Sequence, residues 1–265
     1  MRPDRVKYPR TYHLPWSPGH TEDDRVLENT EHFAGRRVII TEKMDGENTT
    51  MYHDYIHARS LDSSHHPSRD WVKNLHARIQ NGIPFGWRAC GENLFARHTL
   101  RYSDLPSFFM VFSIWDENNL CLSWDETVEY AAALGLVTVP LIYDGPWDEQ
   151  YARNLSASMD LSVHEGFVVR IADAFSHGAF RRSIAKFVRK VHAGTAHNWM
   201  RQRVERNGLS MLNHAALLLA GAALLHAENY DTATPHDHAA QLAERLKSGA
   251  VKLPFDPKNG YLPLY

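Results

Sequence analysis

The chain has 265 residues, 43% of them hydrophobic and 23% charged, with a formal net charge of −2 at pH 7. That balance excludes a generally basic nucleic-acid coat, while a local basic site stays open, and the length suits one domain or one domain with an appendage. The two cysteines, Cys90 and Cys121, exclude a disulfide framework or a CxxC metal site and point to reduced thiols in a cytoplasmic protein.

The opening stretch "MRPDRVKYPRTYHLPW" has no apolar core of the secretion-signal kind. Pro3, Pro9, Pro15 and Pro18 among polar residues predict an extended lead-in. From Arg36 the texture turns to β. "RRVIITEK" predicts an apolar strand. "NTTMYH" alternates and is rich in β-branched residues, so it predicts a second strand pairing with the first across an Asp45-Gly46 turn. In "SRDWVKNLHARIQNG", Trp71, Leu75 and Ile79 recur at helical spacing and Gly82 ends the pattern.

"GWRACGENLFA" and "SFFMVFSIWD" predict two more strands, the second apolar enough to be central. "SWDETVEYAAALG" predicts a helix capped by Ser123, with Glu126 completing a capping box and Gly135 stopping it. "LVTVPLIYDG" reads as a strand with Pro140 near its edge or end, "WDEQYARNLSASM" as a helix, and "HEGFVVRIAD" and "FRRSIAKFVRK" as strands. Beyond about Thr195 the pattern is helical in "AHNWMRQRVERNG", "MLNHAALLLAGAALLHAEN" and "HDHAAQLAERLKSG". The apolar run Met211 to Ala227 is shorter than a membrane span needs and reads as a buried helix. The organisation expected is an α+β domain over 1–192 and a helical C-terminal domain over 193–265.

Lys43 follows the first apolar strand at once. Alone, Lys43-x-Asp45-Gly46 fits a solvated lysine before a turn as well as it fits a nucleophile. Further motifs follow in order: "HARS" at 57–60, "CGENL" at 90–94, "FMVFSIWD" at 109–116, "HEGFVVR" at 164–170 and "IAKFVRK" at 184–190. Together they resemble the ordered motif set of the covalent nucleotidyltransferases, the superfamily of RNA ligases, DNA ligases and mRNA capping enzymes. Asn48 and the compact spacing resemble the RNA ligases of phage and small bacterial type, as do the flanks "KYPRTYHLPWSPG" and "AKFVRKVHAGTAHNWMRQRV".

The resemblance implies an ATP-grasp-like adenylation domain of antiparallel sheets with flanking helices. It implies a reaction in which Lys43 takes AMP from ATP, passes it to an RNA 5′-phosphate, and lets a 3′-OH displace it. The implied partners are RNA ends, with an end-healing kinase or phosphatase as a further partner and no membrane. ATP is the implied substrate and Mg²⁺ or Mn²⁺ the implied metal. A lysine must be neutral to attack, and free lysine titrates near 10.4, so desolvation or a nearby metal ion would have to favour the amine.

Residue by residue, Glu92 is the implied ribose acceptor and Phe112 the base-stacking ring. Where the family carries an acid after that ring, this chain has Ser113. Arg59 would hold phosphate or ribose, Glu42 would lie beside the base, and Lys186 would meet the α-phosphate, with Lys190 as its companion on the same strand face. Glu165 is the implied metal ligand, with Asp45 behind it as turn support or second ligand. Arg181, Arg182, Arg189, Arg201 and Arg203 offer an RNA-contacting wall. The rivals are a DNA nick ligase, a capping guanylyltransferase, and a non-catalytic RNA-end binding protein. The helical texture after the last motif disfavours the first two, which carry a β-barrel there. The 17 histidines, His53, His57, His65 and His66 among them, read as polar surface residues rather than a zinc site.

Overall fold

The computed structural model describes residues 5–190 and 203–210. Two mostly antiparallel sheets carry almost all of it. The first has the strand order β1 (Tyr12–His13), β12 (Ile184–Val188), β10 (Gly166–Ile171), β2 (Arg37–Glu42), β9 (Leu141–Pro146). The second runs β11 (Phe175–Ser176), β7 (Leu120–Cys121), β6 (Phe109–Trp115), β5 (Arg88–Asn93), β3 (Glu47–Tyr52), β4 (Ile56–Ala58), and β8 (Val137–Thr138) pairs with β6 in parallel. Three helices, α1 (Asp70–Ile79), α2 (Trp124–Ala133) and α3 (Glu149–Ser158), flank the sheets.

The apolar run of β2 is buried on both faces, which is why it does not alternate. Val38 and Ile40 join the core that holds Phe167, Phe187 and Trp115, whereas Ile39 joins the core of Met44, Leu94, Phe108 and Trp124. A third cluster packs Val72 and Ile79 of α1 and Tyr130 and Ala131 of α2 against Met51, Phe109 and Val111 of the second sheet. α2 carries the expected capping box, with Ser123 Oγ accepting from the Glu126 N–H and the Glu126 carboxylate accepting from the Ser123 N–H.

Several expectations change. β2 and β3 do not form a hairpin: β2 pairs with β10 and β9, and β3 pairs with β4 and β5. The Lys43–Gly46 loop therefore crosses from one sheet to the other. "LVTVPLIYDG" splits at Pro140 into β8 and β9, one in each sheet; a proline cannot donate into a continuous ladder. "FRRSIAKFVRK" opens as a 3₁₀ turn, His177–Arg182, and only then becomes β12.

Residues 203–207 are extended rather than helical. Asn207, 1% exposed, donates from Nδ2 to Leu94 O at 2.9 Å and accepts at Oδ1 from Tyr102 N–H at 3.0 Å. These bonds tie the 203–210 strap to the body. The rest of the segments read as helices beyond 193, the run Met211 to Ala227 and Arg201 among them, lies outside the described residues. Among those described, no helix is long and apolar enough to cross a membrane.

Candidate active site

Period-two geometry builds the floor of the site. One cross-strand row of the first sheet reads His13, Lys186, Val168, Thr41 across β1, β12, β10 and β2, and the next reads Ile184, Arg170, Ile39. Residues two apart on a strand share a face, so Thr41, Val168, Arg170, Ile184 and Lys186 all line one cavity of about 520 Å³. The facing wall comes from the second sheet, with Asn48 of β3, Glu92 of β5 and Phe112 of β6. Glu42, Lys43, Met44 and Gly46 enter from the crossover loop, and Arg59 follows β4.

The lysine's placement is set by its backbone. Its N–H donates to Gly166 O at 2.9 Å, and the next strand pair is held by Arg189 N–H to Glu165 O, also 2.9 Å. Gly166 has φ of +149°, and a Cβ there would sit 2.0 Å from Phe187 O, so only glycine permits this approach. Gly46 is needed for a different reason: a Cβ would lie 2.5 Å from Asn93 O, where β3 leaves the loop beside β5.

Lys43 Nζ and Glu165 Oε2 are 2.5 Å apart, and both side chains are mostly buried. Burial on its own would lower the lysine's pKa. Glu165 first, then Glu92 and Asp45, outweigh it and raise the group above its ordinary value. Of the two expected ways to free the amine, desolvation or a nearby metal ion, desolvation is outweighed here because the burial comes with carboxylates. Burial also raises Glu165, against the pull of Lys43. It pushes Glu92 up to about 8, opposed chiefly by Lys43, with Glu165 adding to the rise. Lys186 is lowered by burial and then by the charge of Lys43. Glu42 Oε1 meets His164 Nδ1 at 2.8 Å.

Asp45 has a use the sequence did not show. Its Oδ2 accepts from Thr99 N–H at 2.8 Å, Thr99 Oγ1 at 2.5 Å and Leu100 N–H at 2.6 Å, while its own N–H donates to Tyr102 OH at 2.9 Å. It is 8% exposed and does not line the cavity. The loop it supports is 99–102, and these bonds make Asp45 a clasp on that loop. Arg189 joins the clasp, donating to Thr99 Oγ1 at 3.1 Å and Leu161 O at 3.0 Å; it faces inward rather than towards an RNA wall. β12 ends at Val188, so the strand parity that would align Lys190 with Lys186 lapses, and Lys190 is exposed outside the cavity lining. Arg181 and Arg182 are exposed in the 3₁₀ turn, Arg181 over the Tyr12 ring at 4.9 Å, and Arg203 is exposed on the strap.

The lead-in contributes a wall. Tyr8, Pro9, Arg10, Thr11 and Asp24 line the cavity, and the Tyr8 ring sits 5.1 Å from Phe112, edge-on. Burial drives the Tyr8 hydroxyl well above its usual range, and Ser113 works the other way. Ser113, standing where the family has an acid, is a fully buried polar anchor that accepts from Trp115 Nε1 at 3.0 Å. No periodic signal marks Tyr8, Arg10 or Asp24 in so irregular a segment. Arg170 was legible in principle, because it is two residues from Val168 on the same strand. His57, expected at the surface, is 4% exposed with Nδ1 against Ala58 O at 2.5 Å.

Among the described residues no three His, Cys, Asp or Glu side chains form a metal-holding group. Among the described residues Asn48 Oδ1, buried in the cavity wall, has no hydrogen-bond partner, as befits an atom that a ligand completes.

The RNA ligase family model matches residues 36–188, more than half of the 265 residues. The chain belongs to the RNA ligase family. Among solved structures it is similar to a mutant of the Naegleria gruberi RNA ligase with ATP and Mn, at 16% identity and a TM-score of 0.45, over 70% of this chain and 61% of that one. A second mutant of the same enzyme with ATP and Mn gives 19% and 0.43, and the same enzyme with PPi gives 19% and 0.44, each over 60% of this chain and 51% of that one. The chain thus spans between 51% and 61% of the length of these structures. No curated protein matches it.

Proposed function

We propose that this protein is an ATP-dependent RNA ligase (AMP-forming) that works through a lysyl-AMP intermediate. The observation that carries the reading is the convergence of Lys43, Glu92, Phe112 and Lys186 from two sheets on one cavity. A lone lysine before a turn has no reason to meet a stacking ring, a ribose acceptor and a second cation there.

Lys43 first releases its extra proton to solvent; its neutral Nζ then attacks the α-phosphorus of ATP, the N–P bond forms as the bond to the β-phosphate oxygen breaks, and pyrophosphate leaves. A 5′-phosphate oxygen of RNA then attacks the same phosphorus, giving A(5′)pp(5′)RNA and freeing Lys43. A 3′-OH attacks the activated 5′-phosphate, the new phosphodiester forms, and AMP departs. Phe112 stacks on the base, Glu92 accepts from the ribose, Asn48 and Arg59 hold ribose or phosphate, Glu42 stands beside the base, and Lys186 stabilises charge on the α-phosphate as the leaving group departs. Glu165 would hold Mg²⁺ or Mn²⁺ with substrate phosphates, and the ion would supply charge neutralisation there. The adenylation unit is residues 1–192, with the 203–210 strap docked on it. Its RNA ends would come from an end-healing kinase or phosphatase.

The test is to incubate the protein with Mg²⁺ and α-labelled ATP, GTP or NAD⁺. Label from ATP, lost in Lys43→Ala, is the expected result, followed by transfer to 5′-phosphorylated RNA. No label from any nucleotide would sink the enzyme reading. Label from GTP alone would turn it to capping, and transfer to nicked DNA only would turn it to DNA ligation.

A further inference from the structure

The loop 95–102 after β5 has no assigned part in holding the nucleotide, yet it is fixed on both sides. On one side Thr99 N–H, Thr99 Oγ1 and Leu100 N–H all donate to Asp45 Oδ2, and Arg189 donates to Thr99 Oγ1. On the other side the strap takes hold. Arg97 N–H donates to Glu205 O at 2.7 Å, and Asn207 donates to the carbonyls of Leu94 and Phe95. The loop is thereby tied to the crossover that carries Lys43, to the end of β12, and to a segment beyond residue 188, where the family match ends. His98 of this loop lines the cavity, the one histidine of that lining among the described residues.

His98 stands at the Lys43 end. The charges of Asp45 and Lys43 act on it from the crossover loop, and that of Glu47 from β3. Burial first, and then Lys43, favour the neutral imidazole, while the two carboxylates oppose them. A neutral imidazole can accept a proton, and a base that titrates near the working pH is the most effective kind. The neighbouring acids are engaged: Glu165 with Lys43, Glu47 with Arg69, Glu42 with His164, and Asp24 with Thr21 and Lys186. The apolar end of the cavity, with Phe112, Val139, Val168 and Ile184, suits the base of the nucleotide, which leaves the Lys43 side for an RNA end. Resting on the ligase reading, we propose that His98 is the general base of the sealing step. Its ring nitrogen takes the proton of the 3′-OH as O3′ bonds to the activated 5′-phosphorus. The bond from that phosphorus to the AMP phosphate oxygen breaks, AMP departs with the electron pair, and the imidazolium returns the proton to solvent.

The test uses the full chain and compares wild type with His98→Ala and His98→Gln. Joining of synthetic A(5′)pp(5′)RNA to a 3′-OH strand, with Mg²⁺ and without ATP, isolates the sealing step; lysyl-AMP formation from ATP is timed in parallel. Both variants should seal roughly 10²–10⁴-fold more slowly, with a much smaller loss in lysyl-AMP formation. The base must be neutral to act, so the wild-type sealing rate should fall as pH drops below about 6.5, and this fall should be absent in both variants. Equal losses in the two steps would reduce His98 to a structural residue. Sealing by His98→Gln at the wild-type rate, or an acid limb that persists in His98→Ala, would also overturn the base. Wild-type protein that does not seal adenylylated RNA would instead overturn the ligase reading beneath it.

Discussion

Replacing Asp45 with alanine separates a clasp from a metal ligand. The substitution removes the acceptor shared by two backbone N–H groups, Thr99 and Leu100, and by the Thr99 hydroxyl. Leu100 is 5% exposed, so water does not readily replace that bond. An unsatisfied buried donor costs about 1–3 kcal/mol, and bonds to a charged acceptor stand at the upper end. With Thr99 partly rescued by water, the total is about 3 kcal/mol. For a domain of this size that lowers Tm by roughly 6–12 °C. Asp45→Asn keeps a neutral acceptor in place and should cost about a third as much. The assay is thermal unfolding of the three proteins, paired with the Mg²⁺ concentration that half-saturates lysyl-AMP formation. The clasp requires a clear fall in Tm with the metal requirement unchanged. An unchanged Tm with a tenfold higher metal requirement would refute the reasoning and return Asp45 to the metal.

Other outcomes follow from the same geometry. Gly46→Ala forces a Cβ to within 2.5 Å of Asn93 O and should cost about 2 kcal/mol or more, read as a lower denaturant midpoint. Asn207→Ala removes the bonds from the strap to Leu94 and Tyr102, a loss of roughly 2–3 kcal/mol; limited proteolysis should then cut near 203–210 sooner than in wild type. His13 is 1% exposed, and burial, then the charge of Lys186, lowers its pKa to about 4. A depressed folded-state pKa means that its contribution is fully present above pH 6.5 and is lost as pH falls towards 4, to an extent of about 3 kcal/mol. His13→Gln should therefore lose less stability than wild type between pH 7 and pH 4 in denaturant titrations, and parallel pH curves for the two would count against it.

The sequence by itself determined the candidate nucleophile and most of its company. Lys43, Glu92, Phe112 and Lys186 each stand in a short motif at a strand or strand end, where period-two alternation says which face a residue takes. It also determined local devices such as the Ser123–Glu126 capping box, because their partners are three residues apart. What only the tertiary structure decided is what depends on distant partners. Alternation says that a strand is half-buried but not which strand it pairs with, so the crossing of the Lys43 loop between sheets was hidden. Asp45, Arg189 and Asn207 are polar groups whose roles were set by donors and acceptors far away in the chain, Thr99, Leu161 and Leu94 among them. The lead-in has no period to read, and its contribution of Tyr8, Arg10 and Asp24 to the cavity exists only because β1 pairs with β12 and draws that segment over the site.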